Sequence, residues 1–222
     1  MSIKSKLVTA AATLTLIAGV SAAATQTANA ATPKCGATCS DFYSHALGAA
    51  FVLAVADQVG QAGQPTTLAR ANRTSQGEDF TVDALGTVHD FYQLGLVSGG
   101  LNAPYGGLYV YEIEYTPGHT PSNLCLGTFA QPGAGTPVTL EPCGRTAKTV
   151  WIFDPHQAST GGAYFVLISA AATTNFNHPY ALTTLAAGHP LVTASLATST
   201  TSSAFAHQLW NAKAGVLPSS LH

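Results

Sequence analysis

The stretch CLGTFAQPGAGTPVTLEPCGRTAKTVW, from Cys125 to Trp151, decides the fold of this chain. It contains an apolar segment after a cysteine, the Gly-x-Pro turn 135–137, a Val-x-Leu segment, a second cysteine and a large aromatic residue. Glycine supplies the left-handed backbone that tight turns need, and β-branched and aromatic residues favour strands. The stretch therefore predicts short strands separated by a turn.

Two other parts of the chain repeat this pattern, which makes three copies in all. The first copy consists of FVL at 51–53, the turn Gly63-Gln64-Pro65 and Phe80, and the last consists of YAL at 180–182, the turn Gly188-His189-Pro190 and Trp210. The turn glycines of successive copies are 72 and 53 residues apart, which is longer than a compact β repeat requires. We therefore predict inserted segments at 83–107 and 193–206.

Other segments also read as strands bounded by turn formers. They are FVLAV at 51–55, YVYEIEY at 109–115, VWIF at 150–153 and YFVLI at 164–168. The alternation in YVYEIEY predicts a buried face with Tyr109, Tyr111, Ile113 and Tyr115 and a wet face with Val110, Glu112 and Glu114. Only the stretch 83–101 suits a short helix. The chain is therefore predicted to be mostly β.

The middle copy resembles one unit of a ricin B-type domain, in which Cys-Leu-Asp precedes a glycine turn, a Val-x-Leu strand, a cysteine and Gln-x-Trp. This resemblance implies an all-β fold, a β-trefoil of three pseudo-repeats with inserted loops, over residues 46–218. Three units in a ring share one core that no single unit builds alone, and closing the barrel removes exposed strand edges. Phe80, Trp151 and Trp210 are then core residues.

The first 30 residues have the features of a secretory signal peptide. Lys4 and Lys6 form a positive start, 7–20 is an apolar stretch too short to span a bilayer, and Ala28-Asn29-Ala30 suits cleavage before Ala31. We predict a secreted, extracellular protein with no membrane anchor after cleavage. Residues 31–45 would form an N-terminal segment with a small disulfide loop.

Composition excludes several partners. Loss of Lys4 and Lys6 reduces the eight basic residues to six against ten acidic ones, a net charge of −4. No basic patch exists for nucleic acid or anionic lipid, so neither is an expected partner. The Ala/Thr-rich, Lys-poor composition suggests a bacterial origin as a hypothesis, and no cofactor motif is found.

Four cysteines follow the leader, and an even number in an exported protein favours disulfides. Cys125 and Cys143 suit neighbouring strands of one unit, and Cys35 and Cys39 suit a small loop. Four cysteines allow three connectivities, of which we favour these two local pairs. The spacing does not match paired zinc knuckles, so no metal site is predicted.

The positions that bind sugar in the resembled family are altered here. The resemblance implies an Asp after Cys-Leu that accepts hydrogen bonds from sugar hydroxyls and a Gln of Gln-x-Trp that supports it. The Asp positions carry Ala54, Gly127 and Thr183, and the Gln positions carry Glu78, Thr149 and Gln208. The third copy is therefore the best carbohydrate-binding candidate, with Gln208, His207 and Asn211. A displaced polar site with Asp57, Arg70 and Asn72 is a weaker alternative in the first copy.

Catalytic motifs are absent from the sequence. It has no Gly-x-Ser-x-Gly elbow, no HExxH and no phosphate loop, and its eight histidines lack ligand spacing. Glu112 and Glu114 share one face of a strand and form the sole candidate carboxylate pair. We predict that the protein is not an enzyme.

The sequence thus predicts a secreted, non-catalytic binding protein that recognises carbohydrate or cell-surface polysaccharide. The alternative is a protein-interaction or structural β-trefoil scaffold without sugar binding. A protease-inhibitor-like module is one example, with Arg70 or Arg73 as the primary residue. The expected partners are thus a glycan or cell-surface polysaccharide under the first hypothesis and a protein under the second.

Overall fold

A computed structural model describes residues 39–72, 74–129, 131–155, 164–171 and 179–213. Its strands are β1 Asp41–Ser44, β2 Phe51–Val55, β3 Thr66–Arg70, β4 Phe80–Thr87, β5 Tyr109–Tyr115, β6 Leu124–Gly127, β7 Thr136–Pro137, β8 Thr139–Pro142, β9 Val150–Asp154, β10 Phe165–Ser169, β11 Tyr180–Thr183, β12 Val192–Ser195 and β13 Leu209–Lys213. Its α-helices are α1 Val88–Gln93, α2 Gly99–Tyr105 and α3 Ser203–Ala206. Strands therefore dominate, as the sequence predicts.

Six antiparallel strands close into a barrel. The order is β4-β5-β9-β10-β13-β1, and a bridge between Ser40 and Phe80 joins β1 to β4. The strand β1 pairs with β13 along its whole length, so the barrel begins at Asp41. The boundary predicted at residue 46 therefore moves back into the segment 31–45, because β1 supplies a barrel strand.

Three hairpins, β2–β3, β6–β8 and β11–β12, cap one end of this barrel, which gives the β-trefoil. At the hairpin ends, three backbone N–H groups bond around a ring: Thr66 to Val138 (2.9 Å), Val138 to Leu191 (2.9 Å) and Leu191 to Thr66 (2.8 Å). The three turn glycines have φ values of 80°, 81° and 76°. These values lie in the left-handed region that glycine adopts without strain. The three Gly-x-Pro turns of the sequence are thus equivalent in space.

The barrel interior holds the main core. Its buried members include Phe80, Trp151 and Trp210, each fully inaccessible to solvent, as predicted from the repeat. Each tryptophan donates its indole N–H to the carbonyl of the leucine in its own copy, Trp151 to Leu126 at 2.8 Å and Trp210 to Leu182 at 3.1 Å. The aromatic residue therefore ties the last strand of a copy to its hairpin.

A second core covers the outer side of the barrel. Val88 and Phe91 of α1, Leu101 of α2 and Phe205 of α3 pack there against outward-facing residues of β5, β9 and β10. Both inserted segments contribute helices to this core, so they are not mere surface loops. The helix α1 begins at a capping box in which Thr87 donates backbone and side-chain hydrogen bonds to Asp90, and these bonds lower the pKa of the Asp90 carboxyl.

The second core also corrects the prediction for β5. Val110 and Glu112, which we expected on a wet face, are buried, whereas Tyr109 is exposed. Val110 lies under the helices, and Glu112 lies under a loop that follows β8. Strand alternation is therefore correct, but neither face of the middle of β5 is wet.

The disulfide Cys125–Cys143 is confirmed, with Cα atoms 5.0 Å apart. Cys39 is also disulfide-bonded, and its predicted partner Cys35 lies outside the described residues. The predicted signal peptide lies outside them as well. Within the part of the chain that the structure describes, no helix is long and apolar enough to cross a membrane.

Candidate functional site

Gln208 lies just before β13 and is almost completely buried, with 1% of its surface exposed. Its Oε1 accepts a hydrogen bond from the backbone N–H of Ala197 at 2.9 Å. Its Nε2 donates to the carbonyl of Ser195 at 2.9 Å and to Oγ1 of Thr183 at 3.3 Å. Thr183 occupies the Asp position of the family pattern, so Gln208 donates to the residue at that position.

His207 precedes Gln208 and is partly accessible to solvent. It is half-buried, and its Nδ1 lies 2.9 Å from Oγ1 of the buried Thr184. In the described part of the chain no hydrogen bond is formed by Nε2. Asn211 lies three residues beyond Gln208 along an extended strand, roughly 10 Å away. The structure therefore brings His207 and Gln208 together around Thr183 and Thr184, and it sets Asn211 apart.

The Gln position has the same structural task in the first and third copies. It satisfies the backbone N–H of the residue two places after the third strand of the unit, which would otherwise be unpaired. Glu78 accepts from Asn72 with both carboxylate oxygens, at 2.9 and 3.1 Å, in the same way that Gln208 accepts from Ala197. The buried amide or carboxylate at this position is thus explained by the fold without a ligand.

The second copy reaches the same result with a residue from another strand. Thr149 is too short to accept from Gly144, and Glu112 of β5 does so at 3.0 Å. The same Glu112 oxygen accepts from the N–H of Arg145 and from Oγ1 of Thr149, both at 2.6 Å. Glu112 is thus a residue that the repeat pattern did not identify, because it lies 37 residues before Thr149 in the chain.

No room for an Asp exists at Gly127 in the second copy. A Cβ atom there would lie 2.8 Å from the backbone oxygen of Lys148 and 3.3 Å from Cγ2 of Thr149. The loop that Glu112 fastens therefore lies directly over the position where a family lectin carries its sugar acceptor. The second copy is closed in that position, whereas the third carries a hydroxyl there.

The first copy has no polar atom at Ala54, and the displaced group of Asp57, Arg70 and Asn72 does not assemble. Asp57 follows β2 at the turn end of the β2–β3 hairpin, whereas Arg70 lies at the opposite end, opposite Phe51. Arg70 places its guanidinium 5.6 Å from the centre of the Phe51 ring. Asn72 uses its side chain to accept from the N–H and hydroxyl of Thr74. Arg73 lies outside the described residues.

Both carboxylates of the pair on β5 accept hydrogen bonds from backbone N–H groups. Glu112 is bonded as above, and Glu114 accepts from the N–H of Asn123 at 2.8 Å. Among the described residues no three His, Cys, Asp or Glu side chains are grouped as metal ligands would be. Both carboxylates of the predicted pair are therefore engaged by backbone N–H groups of neighbouring segments.

Comparisons with known proteins agree with the fold. No family model matches the chain, and no curated relative is found. Among solved structures, the designed three-fold symmetric protein ThreeFoil matches with a TM-score of 0.53 and 12% identity, over 78% of this chain and 96% of that one. A lectin of Polyporus squamosus, solved with a human-type influenza-binding epitope, matches with a TM-score of 0.51 and 11% identity, over 81% of this chain and 49% of that one.

These likenesses place the chain in the β-trefoil fold class. The resemblance to ricin B-type trefoils that the middle repeat suggests is thus confirmed at the level of the fold. At such low identity the likeness carries no site residue from one protein to the other.

Proposed function

We propose that this protein is a secreted, non-catalytic binding protein that recognises carbohydrate, such as a cell-surface polysaccharide, through the third copy of its trefoil. The observation that carries this proposal is the half-exposed His207, fixed by Thr184 beside the Gln208–Thr183 pair. The imidazole of His207 is the group that would contact a ligand, and the buried side chains beneath it hold it in place. Preorganised polar groups of this kind fix the orientation of small ligands.

The ligand atoms that suit this site are sugar hydroxyls. An imidazole nitrogen and a threonine oxygen each accept or donate a hydrogen bond, which matches a hydroxyl group in either role. The neighbouring Leu185 is exposed and offers an apolar surface to the C–H groups of a sugar ring. Gln208 acts behind these groups as a positioning residue.

Two further observations support the rest of the proposal. Disulfides persist in oxidising compartments, and both Cys39 and the Cys125–Cys143 pair are oxidised, which fits export through the predicted leader. The carboxylates Glu112 and Glu114 are committed to backbone N–H groups, which leaves them poorly suited to general acid–base work.

The test is binding of the purified, oxidised protein to a glycan array that includes cell-wall polysaccharides. We expect at least one reproducible ligand and roughly a fivefold to tenfold loss of affinity in His207→Ala, the cost of one ligand hydrogen bond. His89→Ala is the matched control, because His89 is an exposed histidine on α1 whose hydrogen bonds are to exposed partners.

Gln208→Ala is less informative than His207→Ala, because it unpairs the partly buried N–H of Ala197 and destabilises the copy. A blank array would contradict the proposal. Binding that both histidine variants retain in full would move the site away from the third copy.

A protein-interaction role is the second candidate, and one surface favours it. Tyr92 in the last turn of α1, and Leu94 and Leu96 in the link to α2, expose 41%, 71% and 36% of their surfaces. Clustered exposed apolar residues often mark protein contacts. Arg70 lies within β3 and contacts Phe51, so it does not form the protruding loop that an inhibitor would need.

A further inference from the structure

The loop between β2 and β3 forms a groove that the third-copy site does not include. Its volume is about 400 Å³, and its walls are Asp57, Val59, Gln61, Ala62, Gly63 and Gln64. This volume falls within the range of small-ligand sites. The groove is open to solvent on one side, and its lining is mainly polar.

The loop is held rigidly by its own side chains and by the rest of the trefoil. Gln64 donates from Nε2 to the carbonyl of Ala56 and accepts with Oε1 from the N–H of Gln61. Gln58 accepts from the N–H of Gln76 at 3.0 Å, and Gly63 donates to Leu140 at 2.7 Å. A ligand would therefore meet a preorganised surface and would not have to order a mobile loop.

Asp57 is the chemically distinctive residue of this loop. Its backbone has φ 63° and that of Gln58 has φ 58°, so two consecutive residues other than glycine are left-handed. The Asp57 side chain is exposed and makes no hydrogen bond or ion pair within the described part of the chain. Residues held in such conformations concentrate at functional sites, because the surrounding structure must enforce them.

The charge of the groove selects the class of ligand. The described cation of this copy, Arg70, lies at the far end of the hairpin, so it does not neutralise Asp57. An anionic ligand would be repelled, whereas the two carboxylate oxygens can accept from two adjacent hydroxyl groups. Val59, with 66% of its surface exposed, provides an apolar contact for a sugar face.

We propose that this groove is a second carbohydrate-binding site, specific for neutral sugars with adjacent hydroxyl groups, in which Asp57 is the acceptor. The inference rests on the proposed glycan binding but concerns a different copy. Asp57 lies three residues after Ala54, where the family pattern has its Asp. The first copy thus retains a carboxylate acceptor in the hairpin loop, outside the family position.

The test uses the oxidised protein and a panel of neutral probes: lactose, maltotriose, cellotriose, mannotriose and chitotriose. Binding is followed by backbone amide chemical shifts, which report separately on 60–64 and on 207–208. We expect the shifts of 60–64 to respond to at least one probe and Asp57→Asn to weaken this response about tenfold or more. Asn tolerates left-handed backbone as Asp does, so the loop is retained.

Asp83→Asn is the matched control, since Asp83 is an exposed carboxylate on β4 outside the groove. If Asp57→Asn leaves probe binding unchanged, the proposal of a sugar site in the groove is wrong. If His207→Ala weakens that same binding, the third-copy site is supported. Loss of binding in Asp57→Asn alone would support the groove and contradict the third-copy site. Absence of any shift with every probe would overturn the groove, whereas the proposed function fails only if the wider array is also blank.

Discussion

The second and third copies of the repeat satisfy the same backbone N–H with different parts of the chain. In the third copy Gln208 accepts from Ala197, and in the second Glu112 accepts from Gly144. The register of the strands is equivalent in the two copies. Glu112 pairs with Val150, the residue after Thr149, and its counterpart Val166 pairs with Leu209, the residue after Gln208. Glu112 is therefore close enough to replace the missing Gln. A carboxylate on the neighbouring strand thus takes the place of the missing Gln.

The two copies also differ in the space at the Asp position, which is narrow at Gly127 and holds a threonine side chain at Thr183. Glu112 also fastens the N–H of Arg145, and the loop it holds brings the Lys148 carbonyl against Gly127. In the third copy the carbonyl of His207 makes the equivalent contact, accepting from the N–H of Thr184 at 3.0 Å, yet the position beside it holds the side chain of Thr183. The trefoil core therefore requires the turn and the aromatic residue of each repeat, while the polar positions are free to diverge.

The largest expected effect comes from removing the substitute acceptor. Glu112→Val, which installs the residue of the third copy, should lower the free energy of unfolding by roughly 2–4 kcal/mol. The reason is that Gly144, Arg145 and Thr149 lose their common buried acceptor. Urea denaturation at neutral pH measures the change.

The rescue of this variant is the sharper test. Thr149→Gln in the Glu112→Val background should recover part of the loss, because Gln then accepts from Gly144 as Gln208 does from Ala197. Glu114→Gln is the control, with an effect of less than about 1 kcal/mol, since Glu114 is only half-buried. If Glu112→Val were as stable as the wild type, Glu112 would not be the functional substitute for Gln in the second copy.

An Asp restored to the family position should be tolerated differently in the two copies. Gly127→Asp should destabilise the protein by about 1–3 kcal/mol, because its Cβ meets the Lys148 carbonyl. Thr183→Asp should cost less, because the new carboxylate still accepts from Gln208. Thermal unfolding of both variants compares them directly, and equal losses would mean that the second copy is not closed.

The smallest effect is expected at Tyr115, a core residue of the second copy. Its hydroxyl is buried and has no hydrogen-bond partner among the described residues, in contrast to the bonded indole of Trp151. Tyr115→Phe should therefore change the stability by less than about 1 kcal/mol at neutral pH, toward greater stability.

Alkaline pH makes the Tyr115 substitution measurable. Burial, with a contribution from the Asp79 charge, raises the pKa of Tyr115 to about 12. An unfolded tyrosine ionises near pH ~10, so the unfolded state is favoured as pH rises from there toward 12. Wild-type stability should fall over this window more than that of Tyr115→Phe. If the stabilities of the two proteins fell in parallel as the pH rose, the Tyr115 hydroxyl would not be buried and unpaired.

The sequence by itself determined the repeating parts of this protein. The three Gly-x-Pro turns, the aromatic residues Phe80, Trp151 and Trp210 and several of the strands follow from local chemistry, and the Cys125–Cys143 pair is the favoured one of the possible pairings. A left-handed turn needs glycine, and a large apolar side chain needs burial, wherever the chain goes afterwards.

Only the tertiary structure decided which polar positions are open. The barrel role of β1, the helical cover on the outer face and the burial of Glu112 depend on segments far apart in the chain. Local pattern cannot reveal such contacts, because a polar residue looks the same in sequence whether a distant loop covers it or solvent does. The repeat therefore predicts the scaffold, and the non-local packing selects His207 and the Asp57 groove as the places to look for a ligand.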